Sequence, residues 1–195
     1  FARLLARSDT VTLFDPSALE ILRRAHPPLR PGQYRVEPHV LSHFHCESPL
    51  ELPRQLHIGV LGTLTEAKGA NVLNALARHI RHLRRHIPIS VIGRSLVPLD
   101  PTIQVLGAYD IHSLTGIVGH QHISVFFMAS IIPETFSYTL SEAMAMGLPI
   151  VAFDLGAQGR RVRAYHKGCV IPPGASPGDI LLALEAASRL NHTPE

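Results

Sequence analysis

His57-Ile58-Gly59-Val60-Leu61-Gly62-Thr63-Leu64-Thr65-Glu66-Ala67-Lys68-Gly69 is where the chain settles into a regular α/β rhythm. The first five residues form a short apolar run closed by a glycine, which reads as a buried strand. From residue 68 to 87 the period changes. Leu73, Leu76, Ile80, Leu83 and Ile87 recur every three or four residues, while Asn74, Arg78, Arg81 and Arg85 take the opposite side. That spacing predicts an amphipathic helix. The same alternation continues downstream. Strands are expected at 89–92, 103–106, 123–127, 149–153 and 168–171, with a short helix around Ile111, Leu114 and Val118 and another over 138–146. A last helix opens at Ser176-Pro177-Gly178-Asp179, with Ser as N-cap, Pro at the first position and an acid at the third. Strands separated by helices imply a Rossmann-like, doubly wound parallel sheet of about six strands with helices on both faces.

Upstream the pattern is poorer. Residues 10–14 predict a strand and 16–25 a helix. A Pro-rich break covers 26–32, a strand is expected at 34–41, and 42–55 reads as a linker. One strand-helix-strand unit is not a self-sufficient domain, so residues 1–55 are expected to be the remnant of a preceding N-terminal domain with its linker, and 56–195 the complete α/β domain. The chain opens on Phe1 and not on Met, in keeping with a piece of a longer protein.

Composition narrows the classes further. Of 195 residues, 46% are hydrophobic and 17% charged, which predicts a globular domain. No apolar run approaches the roughly 18 to 20 residues that span a bilayer. Cys46 and Cys169 offer neither zinc spacing nor a disulfide framework, so a cytoplasmic location is expected. A net charge of +3 suits phosphate ligands or the inner face of an anionic membrane and is too small to argue for nucleic acid. His79, His82 and His86 lie at helical spacing among arginines, which reads as a solvated face and not a metal site.

Ligands of parallel sheets bind beyond the carboxyl ends of the strands, so residues just after the strands carry the information. Gly62 allows close backbone approach, and Lys68 at the start of a helix adds a cation where free N–H groups already favour an anion. The pair suits a diphosphate. It is neither a P-loop nor a Gly-x-Gly-x-x-Gly fingerprint. Later, Glu134 falls in a loop and Glu142 in the helix that follows, eight residues on. Ser137 or Thr139 is expected to cap that helix. Two carboxylates flanking a phosphate-binding helix start are placed to accept hydrogen bonds from vicinal hydroxyls. Spacing alone leaves equally open that Glu134 is a loop charge and Glu142 a dipole-compensating residue.

The stretch from Glu134 to Val151, with Glu, seven residues, Glu, then Ala143-Met144-Ala145-Met146-Gly147-Leu148-Pro149 and a strand, resembles the C-terminal domain of GT-B glycosyltransferases, most closely the large retaining family 4. Gly62 to Gly69 resembles the same family's Gly-Arg-Leu-x-x-x-Lys-Gly turn. The resemblance covers roughly residues 56–190, and 10–41 resemble the end of the partner N-terminal domain. It implies transfer of a sugar from a nucleoside diphosphate, UDP or GDP, to a glycan or lipid acceptor with retention, as in polysaccharide biosynthesis. It implies that Lys68 contacts the diphosphate, Glu134 the sugar hydroxyls and Glu142 the ribose. The backbone N–H groups of Ser137, Tyr138, Thr139 and Leu140 would bind phosphate, Gly62, Thr63 and Phe136 would belong to the donor site as well, and the base would lie near Gly93 and Leu106-Gly107. Glu134 and Lys68 are the residues expected closest to the chemistry.

Two departures stand out. Thr63 replaces the family's Arg, leaving Arg94 or Arg160 as alternative cations. Arg160, in Gly156-Ala157-Gln158-Gly159-Arg160-Arg161, replaces a Glu of the family's Gly-Gly-x-x-Glu. No Asp-x-Asp occurs, so no metal or other cofactor is expected. A non-catalytic nucleotide-sugar-binding module and a GT-B-fold sugar epimerase are the alternative readings.

Overall fold

In the computed structural model, which describes residues 2–26, 30, 32–40, 44, 46, 50 and 53–190, each downstream apolar run becomes a strand: β3 (Ile58–Leu61), β4 (Ile89–Ile92), β5 (Ile103–Val105), β6 (Val125–Met128), β7 (Ile150–Phe153) and β8 (Gly168–Ile171). All pair in parallel, in the order β5-β4-β3-β6-β7-β8. The expected doubly wound, six-stranded sheet is therefore present. The chain winds from β3 out to β5, returns to β6 beside β3, and winds the other way. Its switch point lies between the carboxyl ends of β3 and β6.

Successive strand side chains face opposite layers, and both layers are covered. Ile58, Val60, Val91, Phe127 and Phe153 pack with Leu73, Leu76 and Ile80 of α3 (Ala70–His82) and with Ile180 and Leu184 of α7 (Pro177–Arg189). Leu61, Ile92, Phe126, Met128 and Ile150 pack the other way. They meet Leu114 and Val118 of α4 (Leu114–His120), Leu140 and Ala143 of α5 (Tyr138–Ala145), and Val162 of α6 (Gly156–Ala164). Burial on both faces explains why these strands read as continuous apolar runs and not as alternation.

The helix expected over 68–87 is shorter at both ends. Gly69 occupies its N-cap in the left-handed region, at φ 86, and a Cβ there would lie 2.0 Å from the Ala129 carbonyl. Only glycine fits, and the helix cannot start before it. At the far end Arg84 takes φ 54 and the helix stops at His82. The cap of α7 is as read: Ser176 Oγ accepts from the Asp179 N–H at 3.2 Å, with Pro177 at the first position. Helix α6 was not expected, because Gly156 and Gly159 disfavour a helix interior. Gly159 is there for packing: a Cβ would sit 2.7 Å from Asp154 Cα.

The opening segment forms α1 (Ala2–Arg7), also not expected, then β1 (Val11–Leu13), α2 (Pro16–Ala25) and β2 (Tyr34–Val36). β1 and β2 pair in parallel as a separate two-stranded sheet. The strand expected over 34–41 ends at Val36; Leu41 and most of the linker at 42–55 lie outside the described residues. Phe44, within that linker, is buried in the second layer. Asp15 caps α2 by accepting from the Ser17 N–H at 2.9 Å, and α2 packs on α6.

Candidate functional site at the switch point

The turn after β3 is tied to its neighbours on both sides. The Leu64 N–H donates to the Arg94 carbonyl at 2.8 Å, and the Ile131 N–H donates to the Ala67 carbonyl at 3.0 Å. Thr65 Oγ1 accepts from the Lys68 N–H at 3.2 Å, inside the turn. These bonds fix 63–69 against the loop that follows β6. As a result Lys68 Nζ and Glu134 Oε1 lie 2.7 Å apart, with the Lys68 side chain 42% exposed and Glu134 12%. Gly62, Thr63, Lys68, Glu134 and Thr139 line one open cleft there, with Ser130 and Gln158. Residues that sequence placed in two separate motifs thus share one space.

Glu142 is buried in α5 and joined to the loop after β5. It accepts a hydrogen bond from the Tyr109 hydroxyl at 3.3 Å. Burial first, then the Glu142 carboxylate, pushes the Tyr109 hydroxyl far above its ordinary pKa. Tyr109 therefore keeps its proton and stays a hydrogen-bond donor to Glu142. It was missed in sequence, where a lone Tyr after a strand carries no signal. Gly93 and Leu106 directly follow the neighbouring strands β4 and β5. Gly93 touches Gly62 so closely that a Cβ would fall 2.0 Å from the Gly62 carbonyl. Leu106 donates its N–H to Val91 and turns its side chain into the second layer.

The loop between Glu134 and α5 differs from expectation in one respect. Ser137 takes the N-cap position, yet no side chain caps the helix among the described residues. Its hydroxyl lies 3.4 Å from Thr139 Oγ1, and Thr139 sits inside the helix. Ser137 is at φ 72, uncommon for a residue with a Cβ, so a cap geometry is not available to it. What holds this loop is Arg161. Its guanidinium donates to the Phe136 and Ser137 carbonyls at 2.8 and 3.0 Å and to Ser141 Oγ at 2.6 Å. It also stacks 4.4 Å above the Phe136 ring. Burial depresses its pKa, with Asp15 acting upward and Arg160 downward, but a guanidinium remains charged. Sequence reading missed this role, since an Arg-Arg pair looks the same whether it faces solvent or a loop. Phe136 is buried, Leu140 is a core residue and Tyr138 is half-exposed.

Arg160, one of the two alternative cations, is engaged by Asp15. Its Nε reaches both carboxylate oxygens of Asp15, at 3.0 and 2.9 Å. Asp15 is fully buried. Burial acts to raise its pKa, but hydrogen bonds from Arg160 and Ser17 and the Arg160 charge outweigh it, and the carboxyl titrates below its usual range. Arg160 therefore anchors the opening segment to α6. Arg94 is exposed, with its own carbonyl bonded to the turn that carries Thr63. The opening segment also reaches the loop directly. His39 stacks on Phe14 at 3.7 Å and lies 5.1 and 5.2 Å from the rings of Phe136 and Tyr138. Among the described residues no cluster of His, Cys, Asp and Glu is grouped for a metal ion, and no helix is long and apolar enough to cross a membrane.

Residues 55–188 match the family described as glycosyl transferases group 1. No curated protein matches the chain. Among solved structures, it is similar to Anabaena HepE in complex with UDP-glucose, with 16% identity, a TM-score of 0.68, and 97% of this chain covering 62% of that one. Sucrose-phosphate synthase from Thermosynechococcus elongatus is 21% identical, with a TM-score of 0.69 and coverage of 97% and 55%. A glycosyltransferase from Rickettsia africae is 18% identical, with a TM-score of 0.67 and coverage of 95% and 58%. At these identities the likeness is one of fold, and the chain spans 55–62% of the length of these three structures.

Proposed function

The chain belongs to the glycosyl transferases group 1 family, and from that premise we propose that it is the donor-binding half of a two-domain glycosyltransferase, holding a nucleoside-diphosphate sugar across the β3–β6 switch point. The observation that carries this reading is the convergence of Lys68 and Glu134, 2.7 Å apart, at the place where a doubly wound sheet receives ligands. A cation for phosphate and an acceptor for hydroxyls stand side by side, as the two ends of a phosphate–sugar bond require.

In this reading Lys68 exchanges part of its contact with Glu134 for the diphosphate. The N–H groups at the start of α5, around Ser137, Tyr138, Thr139 and Leu140, add their partial positive charge. Arg94 supplies the second cation that Thr63 cannot. Glu134 accepts from sugar hydroxyls. Glu142, with its second-side partner Tyr109, accepts from the ribose, and Gly93 and Leu106 border the base. As the bond from the anomeric carbon to phosphate oxygen breaks, its electron pair leaves with the diphosphate, where Lys68 and the N–H groups stabilise it. The acceptor hydroxyl forms the new bond to that carbon from the same face and passes its proton to the departing diphosphate oxygen, so the configuration is retained. Cationic side chains and a helix end take the part that a metal plays elsewhere, so binding needs no divalent ion. A preceding Rossmann-like domain supplies the acceptor side, for a glycan or lipid, in the cytoplasm or at the inner face of a membrane.

Calorimetry with UDP and GDP tests the assignment. Binding of one of them is expected to weaken about ten- to hundredfold in Lys68→Ala and in Glu142→Ala, since a hydrogen bond to a charged group contributes roughly 1.5 to 3 kcal/mol. Equal affinity in the wild type and both variants overturns it.

A further inference from the structure

Gln158 stands in the first turn of α6 and is 1% exposed. Its Nε2 donates to the Met128 carbonyl at 3.1 Å. A carbonyl can only accept, so this bond fixes which end of the amide is which and leaves Oε1 as a pure acceptor. Among the described residues Oε1 is the buried side-chain atom left without a hydrogen-bond partner. An unpartnered buried acceptor is costly, and in a native structure it calls for an explanation.

Its position supplies one. Gln158 lines the same cleft as Lys68 and Glu134. The first turn of α6 is joined to Glu134 by the main chain, the Ala157 N–H donating to the Glu134 carbonyl at 3.1 Å. The missing partner must be a donor. Phosphate oxygens at neutral pH accept and cannot fill the role. The Lys68 ammonium is engaged by Glu134 and, with donor bound, by Glu134 and the diphosphate together. A hydroxyl fits, and Glu134 is a second acceptor in the same cleft, so the pair is matched to a molecule carrying several hydroxyls.

We infer that Gln158 is a specificity-determining residue. Its Oε1 accepts a hydrogen bond from one hydroxyl of the donor's sugar, so the site selects a sugar bearing that hydroxyl and rejects the deoxy analogue. This rests on the donor-binding reading above and adds the residue that reads the sugar. A site built to bond a hydroxyl discriminates strongly against a ligand lacking it, because the buried acceptor is then left unpaired.

The test compares UDP with UDP-glucose and GDP with GDP-mannose, by calorimetry on the wild type and on Gln158→Met, which removes the acceptor at similar volume. Melting temperature serves as the control for folding. For the pair that binds, the nucleoside diphosphate is expected to hold its affinity within about twofold, while the sugar nucleotide loses at least about tenfold. One member of the monodeoxy sugar-nucleotide series should bind the wild type as weakly as the parent binds Gln158→Met, and lose nothing further in the variant. A variant that loses affinity equally for both ligands, or for neither, overturns the inference. Should the variant not fold, wild-type side-chain amide NMR decides: the Gln158 NH2 signals shift with the sugar nucleotide and not with the diphosphate alone, and their failure to move refutes the assignment. Failure of UDP and GDP to bind the wild type at all sinks the donor reading itself; binding without sugar discrimination sinks only the role of Gln158.

Discussion

Replacing Arg160 with Met is expected to destabilise the protein while leaving its affinity for a nucleoside diphosphate unchanged within about twofold. Asp15 is fully buried and draws its partners from Arg160 and from Ser17. Without Arg160 its carboxylate keeps, among the described residues, the Ser17 bonds. Breaking a fully buried ion pair costs roughly 3 to 5 kcal/mol. Here the Arg160 side chain is 46% exposed, so water partly replaces it, and the expected loss falls to about 2 to 3 kcal/mol. For a chain of this size that corresponds to roughly 4 to 12 °C in Tm. The pH dependence gives a second handle. The folded pKa of Asp15 lies below its unfolded value. Its contribution is therefore fully present above the unfolded pKa, near 3.9, and is lost as pH falls through the folded value. In Arg160→Met the folded pKa rises, so acid unfolding begins at higher pH than in the wild type. Calorimetric melts of Asp15→Asn, Arg160→Met and the double variant measure the coupling, expected to exceed about 1 kcal/mol. Melting of Arg160→Met within about 1 °C of the wild type, or a coupling near zero, would refute the argument. A tenfold loss of UDP or GDP affinity would return Arg160 to the list of diphosphate cations.

Arg161→Met should unfasten the loop at 136–137, lowering affinity for the nucleoside diphosphate about tenfold and increasing protease cleavage within that loop; unchanged affinity with an intact loop counts against Arg161 as its anchor. Titration in excess chelator should leave affinity within a few-fold, and a large loss restored by magnesium or manganese would show a metal in the site. The chain alone is not expected to transfer sugar, because half a cleft binds the donor but does not orient an acceptor, and orientation contributes roughly 7 to 11 kcal/mol of the barrier. A similar turnover by this chain and by an N-terminally extended one, across a panel of donors and acceptors, overturns that division of labour.

The amino-acid sequence by itself determined the elements and their kind. Apolar runs at 57–61, 89–92 and 149–153 read as buried strands from their shortness and their β-branched residues, and the 3.6-residue period after Lys68 reads as a helix, because both signals are local to the chain. Helix α7 was readable to its cap, since Ser176, Pro177 and Asp179 act within one turn. Placement of Lys68 and Glu134 at strand ends followed from the same local reading. Their contact did not, because it depends on β3 and β6 being neighbours in the sheet and on bonds between two loops. Tertiary structure alone engaged Arg160: it meets Asp15 across 145 residues of sequence, and no local pattern encodes that distance. Arg161 and Gln158 belong to the same class. The glycines around them hid helix α6, and the carbonyls they bond to, those of Phe136, Ser137 and Met128, are main-chain atoms that every residue carries. A hydrogen bond to the main chain leaves no signature in the identity of its partner, so only the folded chain shows which arginine is an anchor and which glutamine faces the cleft.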